Sequence, residues 1–564
     1  MSNPETTSFI EADVTPFKWL VIVSGFACFA MAWGIGANDV ANCFGTSVGA
    51  KAITLKQAVV IASIFEFLGA VVLGAGVTNT IRSGITDFSQ FEGEEDLLML
   101  GMFAALVSAA MWLFLATKYS LPVSTTQSIV GSIIGFTLVE KGTDAIHWEN
   151  VYEIIIWWFA TPIAAGLIVV VLFLPIRNWI LRRTDSYQTT LRMWPFLVFL
   201  VIAIMTTFLL EKGVQSINVD LSDVAIIGIA CGVGIICALI AYFGFVQTGL
   251  VHRFVQRRCK EKLLKCEEMN EQSSEMAIAG NGHQSNEQAK DYQIIRSNQA
   301  NGQTTTGYGA LADESDAFED GNEAQSEQRP QTDSLVHTLE EKTHGLKDQL
   351  MYGMNVDIEQ DLTEQEEGMK NNKEQFDEHS EEAFAWLQVL TASFAILAHG
   401  SNDVANAIAP FAAIIGIFET GGVSSTVPVK TWVVALGGVG MSIGLATYGY
   451  KIIKCLGCRM AAMSCSRGYC IQLSSATTII LASYFAQPAS STHAQVGATV
   501  GCGLLELANP DSKLSLKEVI NWKLLMQTFF GWVMTLIISG LTSAAIFALF
   551  AYSPSARIVC DAQP

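Results

Sequence analysis

Apolar runs of bilayer-spanning length recur along most of this 564-residue chain. They fall approximately at 18–37, 57–77, 97–117, 128–140, 151–176, 194–210, 222–248, 384–399, 404–418, 430–450, 473–486, 494–508 and 524–552. About 20 apolar residues in a helix match a hydrocarbon core of roughly 30 Å, and a soluble globule has no use for so many such runs. Charged residues make up only 15% of the chain, and most of them sit in one segment. Positions 249–383 hold 29 Asp/Glu and 13 Lys/Arg, a net of −16 within a chain total of −20. The remainder is close to neutral, which excludes the basic footprint of a nucleic-acid binder. The expected fold is an all-α polytopic membrane protein of about 12 helical segments. Several runs are too short to span alone, so discontinuous helices and re-entrant hairpins are expected among them.

This pattern divides the chain into a tail (1–17), a first membrane half (18–248), a polar insertion (249–383), a second membrane half (384–552) and a C-terminal tail (553–564). The insertion is rich in Glu, Gln, Asn, Ser and Gly from about 260 onward. Such a composition buries too little apolar surface to offset its ordering entropy, so a largely disordered linker is expected there. A polar helix over 335–375 is the competing reading, and deletion of 275–375 is expected to spare function. The twelve cysteines do not read as a disulfide framework. Cys28, Cys43, Cys231, Cys237 and Cys502 lie in apolar runs, where a thiol behaves as a small hydrophobe. Cys455, Cys458, Cys465 and Cys470 share one short basic loop, where zinc and lipid attachment stay open beside plain thiols. The acidic N-terminus lacks the basic region of a cleavable signal peptide.

An internal repeat carries the most information. Gly36-Ala37-Asn38-Asp39-Val40-Ala41-Asn42 returns as Gly400-Ser401-Asn402-Asp403-Val404-Ala405-Asn406. Pro122-Val123-Ser124-Thr125-Thr126-Gln127-Ser128-Ile129-Val130-Gly131 returns as Pro488-Ala489-Ser490-Ser491-Thr492-His493-Ala494-Gln495-Val496-Gly497. The offsets are 364 and 366, so order and spacing are kept together, as in a duplication. The loop at about 451–470 holds Lys451, Lys454, Arg459 and Arg467 and no acid, whereas its counterpart at about 78–96 is acidic. Short basic loops stay cytoplasmic, so the two halves are expected to be inverted-topology copies. The basic loops at 177–193 and at the start of the insertion then lie in the cytoplasm with the insertion, and both chain termini lie outside.

Asp39 and Asp403 sit inside apolar runs, where a carboxylate must find a partner. Asn38 and Asn42, like Asn402 and Asn406, are four apart and share a helix face. Nearby Gly34, Gly36 and Gly45 weaken the first helix and free carbonyls. Carboxylate, amide and carbonyl oxygens together suit a small cation; polar packing between helices is the competing reading. Ser124, Thr125 and Thr126, and in the repeat Ser490, Ser491 and Thr492, each follow a proline and open an apolar stretch. Hydroxyls at a helix N-terminus, with its free N–H groups, suit an oxyanion held without a fixed positive charge. One Ser or Thr would satisfy an N-cap, and three exceed that need. Glu66, among apolar neighbours, is a coupling candidate, with an interhelical hydrogen bond as the alternative. His399, just before the second Asn-Asp motif, reads first as structural and second as proton-linked. No nucleophile–base pair stands out, so an enzyme is not expected.

These motifs closely resemble the signatures of the inorganic phosphate transporter (PiT) family of sodium- or proton-coupled phosphate symporters. The resemblance lies in Gly36 to Asn42, Phe44-Gly45-Thr46-Ser47, Ile61 to Glu66, Pro122 to Gly131, His399 to Asn406 and Pro488 to Gly497. It covers both apolar halves and leaves the insertion unmatched. It implies a central phosphate on Ser124 to Thr126 and Ser490 to Thr492, and sodium as co-substrate at the aspartates, with no other cofactor. Its partners would be phosphate, sodium and the lipid bilayer of the plasma membrane; a homodimer is left open. Two positions depart from the family. Gln127 stands where many members have His, and Gln472 stands where Glu is typical. Gln472 cannot ionise, although its amide oxygen could still coordinate sodium. Proton coupling, sulfate as substrate and a phosphate-sensing receptor with vestigial transport are the alternatives to sodium-coupled import by alternating access.

Overall fold

The structure, a computed structural model, describes residues 15–74, 84–216, 221–278, 353–354, 356–358, 362–423, 429–485, 489–509 and 514–553. Among the described residues the fold is helical without a strand, and nine helices are long and apolar enough to cross a membrane. Shorter apolar helices complete the bundle. The protein is thus the all-α membrane protein expected from the apolar runs.

In the first half, α1 (Lys18–Ile35) passes through a π-helical turn (Gly36–Val40) into α2 (Ala41–Gly49). A π turn widens the backbone ladder, and here it falls on the Gly-Ala-Asn-Asp sequence itself. α3 (Leu55–Leu73) opens with a capping box between Thr54 and Gln57. α4 (Glu95–Lys118) and α5 (Thr125–Glu140) form a hairpin, with Ser120 in the left-handed region (φ 57°) between them. α6 (Trp148–Ile176), α7 (Ser186–Ser216) and α8 (Asp223–Ile240) follow, and α9 (Leu250–Ile278) leads out of the membrane half.

The chain divides into two units, one of residues 1–255 with 351–564 and one of residues 256–350. The described part of the second unit is the polar remainder of α9, which carries an Arg257–Glu261 ion pair one helical turn apart. The first unit resumes with α10 (Glu364–Asn372) and α11 (Glu378–Thr420), followed by α12 (Thr431–Tyr448) and the short α13 (Tyr450–Lys454). α14 (Cys465–Tyr484) and α15 (Ser491–Leu504) are the second hairpin, and α16 (Leu516–Val519) precedes α17 (Trp522–Ala551).

One expectation changes here. The runs 384–399 and 404–418 are one continuous 43-residue helix, α11, so the second Asn-Asp motif causes no break. Its polar side chains face partners on neighbouring helices, and the backbone can keep its own ladder. That helix begins at Glu378.

The two hairpins are packed alike. α5 carries Gly131 and Gly135, and α15 carries Gly497 and Gly501, a small-x3-small spacing in both. A Cβ on Gly135 would lie 2.1 Å from the Gly540 carbonyl of α17, and one on Gly497 would lie 2.1 Å from the Pro162 carbonyl of α6. Each hairpin's second helix is therefore pressed backbone to backbone against a long apolar helix. α17 adds a polar stripe toward the first hairpin. Trp112 Nε1 donates to Thr535 Oγ1 (2.9 Å), and Ser108 Oγ donates to the Ser539 carbonyl (2.6 Å).

One end of the bundle is tied by an ionic network. Arg177 and Arg182 both hold Glu374 (2.6 and 2.7 Å), while Arg467 donates to Glu506 and to the Glu374 carbonyl (3.0 Å). The Glu374 N–H donates to Glu506 (2.9 Å). Burial pushes the Glu374 carboxyl up, but the Arg182 hydrogen bond and the Arg177 charge outweigh it and hold the group below its ordinary value. Just upstream, Thr363 and Glu366 form a capping box, and Asn521 donates to Glu366 (3.4 Å). The last part of the expected insertion is thus built into the membrane half.

Gly497→Leu is expected to lower the thermal midpoint of the purified protein sharply, because a backbone carbonyl has no rotamer by which to yield. Gly228→Ala, on α8 in open space, is expected to leave the midpoint within error. Deletion of 285–350 is expected to preserve folding, whereas deletion of 275–375 removes Glu366 and Glu374 and is expected to destabilise the protein. Size-exclusion profiles and thermal midpoints of the two deletions check this.

Candidate functional site

Asp39, on the π turn, is the meeting point of the two halves. Its Oδ2 accepts from Thr125 Oγ1 at the start of α5 (2.9 Å). Its Oδ1 accepts from Ser491 Oγ (2.8 Å) and Thr492 Oγ1 (2.7 Å) at the start of α15, and from Asn42 Nδ2 (2.7 Å). The N-termini of both hairpin helices therefore converge on one carboxylate. From it, α5 leads to the Lys141–Glu94 ion pair and α15 leads to the Arg467–Glu506 pair.

Asp403 joins the same cluster from α11, its Oδ2 accepting from Ser491 Oγ (3.2 Å). Asn42 and Asn406 cross between halves. Asn42 Nδ2 donates to Thr492 Oγ1 (2.7 Å), and Asn406 Nδ2 donates to Thr125 Oγ1 (3.1 Å) and Thr126 Oγ1 (3.3 Å). His399 stands between acids. Its Nδ1 is 3.0 Å from Glu66 Oε1, and its Nε2 is 2.7 Å from Asp403 Oδ2 and 3.8 Å from Asp39 Oδ1. Asp39, His399 and Asp403 thus offer three buried ligand atoms within 4.8 Å of one another.

Some of the expected site residues do other work. Asn38 is committed to shaping the first hairpin. Its Nδ2 donates to Thr117 Oγ1 (3.0 Å) and the Leu121 carbonyl (2.9 Å), and its Oδ1 accepts from the Val123 N–H (2.9 Å). Asn402 is half-buried, and among the described residues no hydrogen bond joins it to the cluster. Ser124 and Ser490 are the N-caps of α5 and α15, with nearly the same backbone (φ −84° and −85°, ψ 122° in both). Each Oγ accepts from the N–H three residues on, that of Gln127 in one copy and His493 in the other. The capping need and the surplus hydroxyls are divided along the triplet: the first hydroxyl caps, and the others face the cluster.

The donor set suits a hard cation. Asn42 Oδ1, Asn406 Oδ1 and Glu66 Oε2 are buried acceptor oxygens without a hydrogen-bond partner among the described residues. Three carboxylates, Asp39, Glu66 and Asp403, share this apolar surrounding with a single imidazole, and among the described residues no Lys or Arg pairs with them. Such a cluster draws small cations. A cavity of about 40 Å³ adjoins it, lined by Asn42, Cys43, His399, Gln472 and Ser491 with apolar residues of α7 such as Phe208 opposite.

Trp532 of α17 supports both hairpins and had no signal in the sequence. Its Nε1 donates to the Pro122 carbonyl (3.1 Å), and its ring lies 3.9 Å from that of His493. His493 Nδ1 in turn meets the Trp158 carbonyl of α6 (3.0 Å). An indole within an apolar run is indistinguishable from lipid-facing ones until the fold is known. Of the four clustered cysteines, Cys455, Cys465 and Cys470 are buried and Cys458 is half-buried.

Residues 35–543 match the model of the phosphate transporter family. A sodium-dependent phosphate transporter of Plasmodium falciparum is 30% identical, with 95% of this chain and 98% of the relative aligned. A phosphate-repressible phosphate permease of Neurospora crassa is also 30% identical, over 95% of this chain and 98% of the relative. A solved structure titled as the sodium-dependent phosphate transporter superposes with a TM-score of 0.64 at 26% identity, covering 95% of this chain and 99% of the other. The chain, a multi-pass membrane protein, belongs to the phosphate transporter family.

Proposed function

We propose that this protein imports inorganic phosphate across the plasma membrane together with sodium, by alternating access. The observation that carries the reading is the convergence of the two repeated hydroxyl clusters on Asp39. Each hydroxyl has one proton to give. Those of Thr125 and Thr492 point to Asp39, and that of Ser491 is shared between Asp39 and Asp403. While Asp39 holds them, they can offer an anion only lone pairs. A sodium ion drawn to Asp39 and the unpaired oxygens of Asn42 and Asn406 competes for the carboxylate. The released hydroxyls then turn their protons, with the N-terminal N–H groups of α5 and α15, toward phosphate. Sodium also offsets the charge that phosphate brings beside buried acids. Binding of the two is thereby coupled, each favouring the other.

The geometry also supports an inverted arrangement of the halves. Two helices with the same opening motif start at one carboxylate and lead to different ionic clusters. The network of Arg177, Arg182, Glu374 and Arg467 brings the basic loops at 177–193 and 451–470 together with the end of the insertion. We assign that end to the cytoplasm, which leaves the chain termini outside.

Purified protein in proteoliposomes is expected to accumulate radiolabelled phosphate under an inward sodium gradient and not under a choline gradient. Arsenate should compete and sulfate should not. Absence of uptake would favour the sensing role. Asp39→Asn is expected to abolish coupled uptake while keeping the size-exclusion profile, since an amide brings no negative charge to draw sodium and one acceptor oxygen where the carboxylate has two. Undiminished sodium-driven uptake by that variant would refute the cation assignment.

A further inference from the structure

Gln472 of α14 is buried in the second half, yet its amide reaches across to α2 of the first. Its Nε2 lies 2.6 Å from the Cys43 carbonyl, 3.1 Å from Thr46 Oγ1 and 3.4 Å from the Asn42 carbonyl. Three oxygens thus converge on one nitrogen. They also settle the orientation of the amide, because turning it over would set Oε1 against oxygens at the same distances. Glu66 makes the mirrored reach. It lies in the first half and meets His399 of α11, beside the second Asn-Asp motif. The two crossing residues therefore differ in kind: one is an acid facing a basic ring, the other an amide facing oxygens.

A nest of carbonyl and hydroxyl oxygens around a positive point is how proteins hold hard cations. With a carboxylate at 472, the same nest would consist of oxygens alone, and it would close only around a bound cation or a carboxyl proton. The amide N–H groups fill that place. The position also borders a cavity, since Asn42, Cys43 and Gln472 line the same space as His399 and Ser491. We infer that the Gln472 amide is a built-in substitute for one cation, so that this protein moves one sodium fewer per phosphate than it would with Glu at 472. This rests on the sodium–phosphate reading above, and it assigns the role to the amide nitrogen, which faces the nest.

The test compares the full-length protein with Gln472→Glu. In proteoliposomes, the ratio of labelled sodium to labelled phosphate taken up is expected to rise by one sodium in the variant, and uptake should depend more steeply on sodium. Equal ratios and equal slopes would overturn the inference. In detergent, the thermal midpoint of Gln472→Glu should climb with sodium concentration more steeply than that of the wild type, with choline as the control. That measurement decides the matter even if the wild type shows no sodium-driven uptake, a result that would instead remove the transport reading. Should the variant fold in sodium but not in choline, the inference is supported. Should it fold in neither, Thr46→Val in the wild-type background decides, since it removes one oxygen of the nest. An unchanged sodium-to-phosphate ratio is expected, and a lowered ratio would show that the nest already binds sodium and overturn the inference.

Discussion

A carboxylate sunk in a membrane protein needs protons or a cation to face, and Asp39 is met by helix ends from both halves of the chain. Thr125 brings the first hairpin to it, and Ser491 and Thr492 bring the second. Asn42, one turn along, closes the fourth contact. Much of the surrounding structure follows from keeping two helix N-termini at one point. The π turn presents Asp39 where α1 passes into α2, Asn38 ties down the backbone before α5, and Ser124 and Ser490 cap the two helices in nearly identical conformations.

Convergence at the centre requires close approach along the flanks. Gly131 and Gly135 let α5 lie against α17, and Gly497 and Gly501 let α15 lie against α6. In lipid there is little hydrophobic gain from bringing apolar helices together, so small residues and interhelical hydrogen bonds supply the attraction. The hydroxyls of α17 and the indole of Trp532 do this for the first hairpin, while the His493–Trp532 contact reaches the second. The ionic network around Glu374 then fixes the end where α15 finishes.

The repeat and the apolar runs made the architecture legible before any coordinates. Hydropathy reports lipid exposure directly, and two motif pairs at matched offsets leave little room for coincidence. The pairing of Asp39, Asp403 and the hydroxyl triplets was legible for the same reason: polar groups at membrane depth have few other destinations. The division of labour within each motif was not. Nothing in Asn38-Asp39 says which side chain turns to a neighbouring backbone, because that depends on where residues 121–123 pass. Position 472 could be recognised as unusual, but only the placement of α2 beside it distinguishes a nitrogen facing oxygens from an oxygen facing a cation. The helix Glu364–Asn372 falls within the competing reading of a polar helix over 335–375, which stood second because the composition is that of a solvated linker and the anchors are scattered over distant loops.

The central claim is that sodium and phosphate hold each other in this site through Asp39. Equilibrium binding of labelled phosphate to the purified protein, measured across a sodium series at constant ionic strength with choline as replacement, tests it most directly. Phosphate affinity should rise with sodium, and sodium affinity should rise with phosphate by the same factor. Phosphate affinity that stays constant from choline to sodium would contradict it.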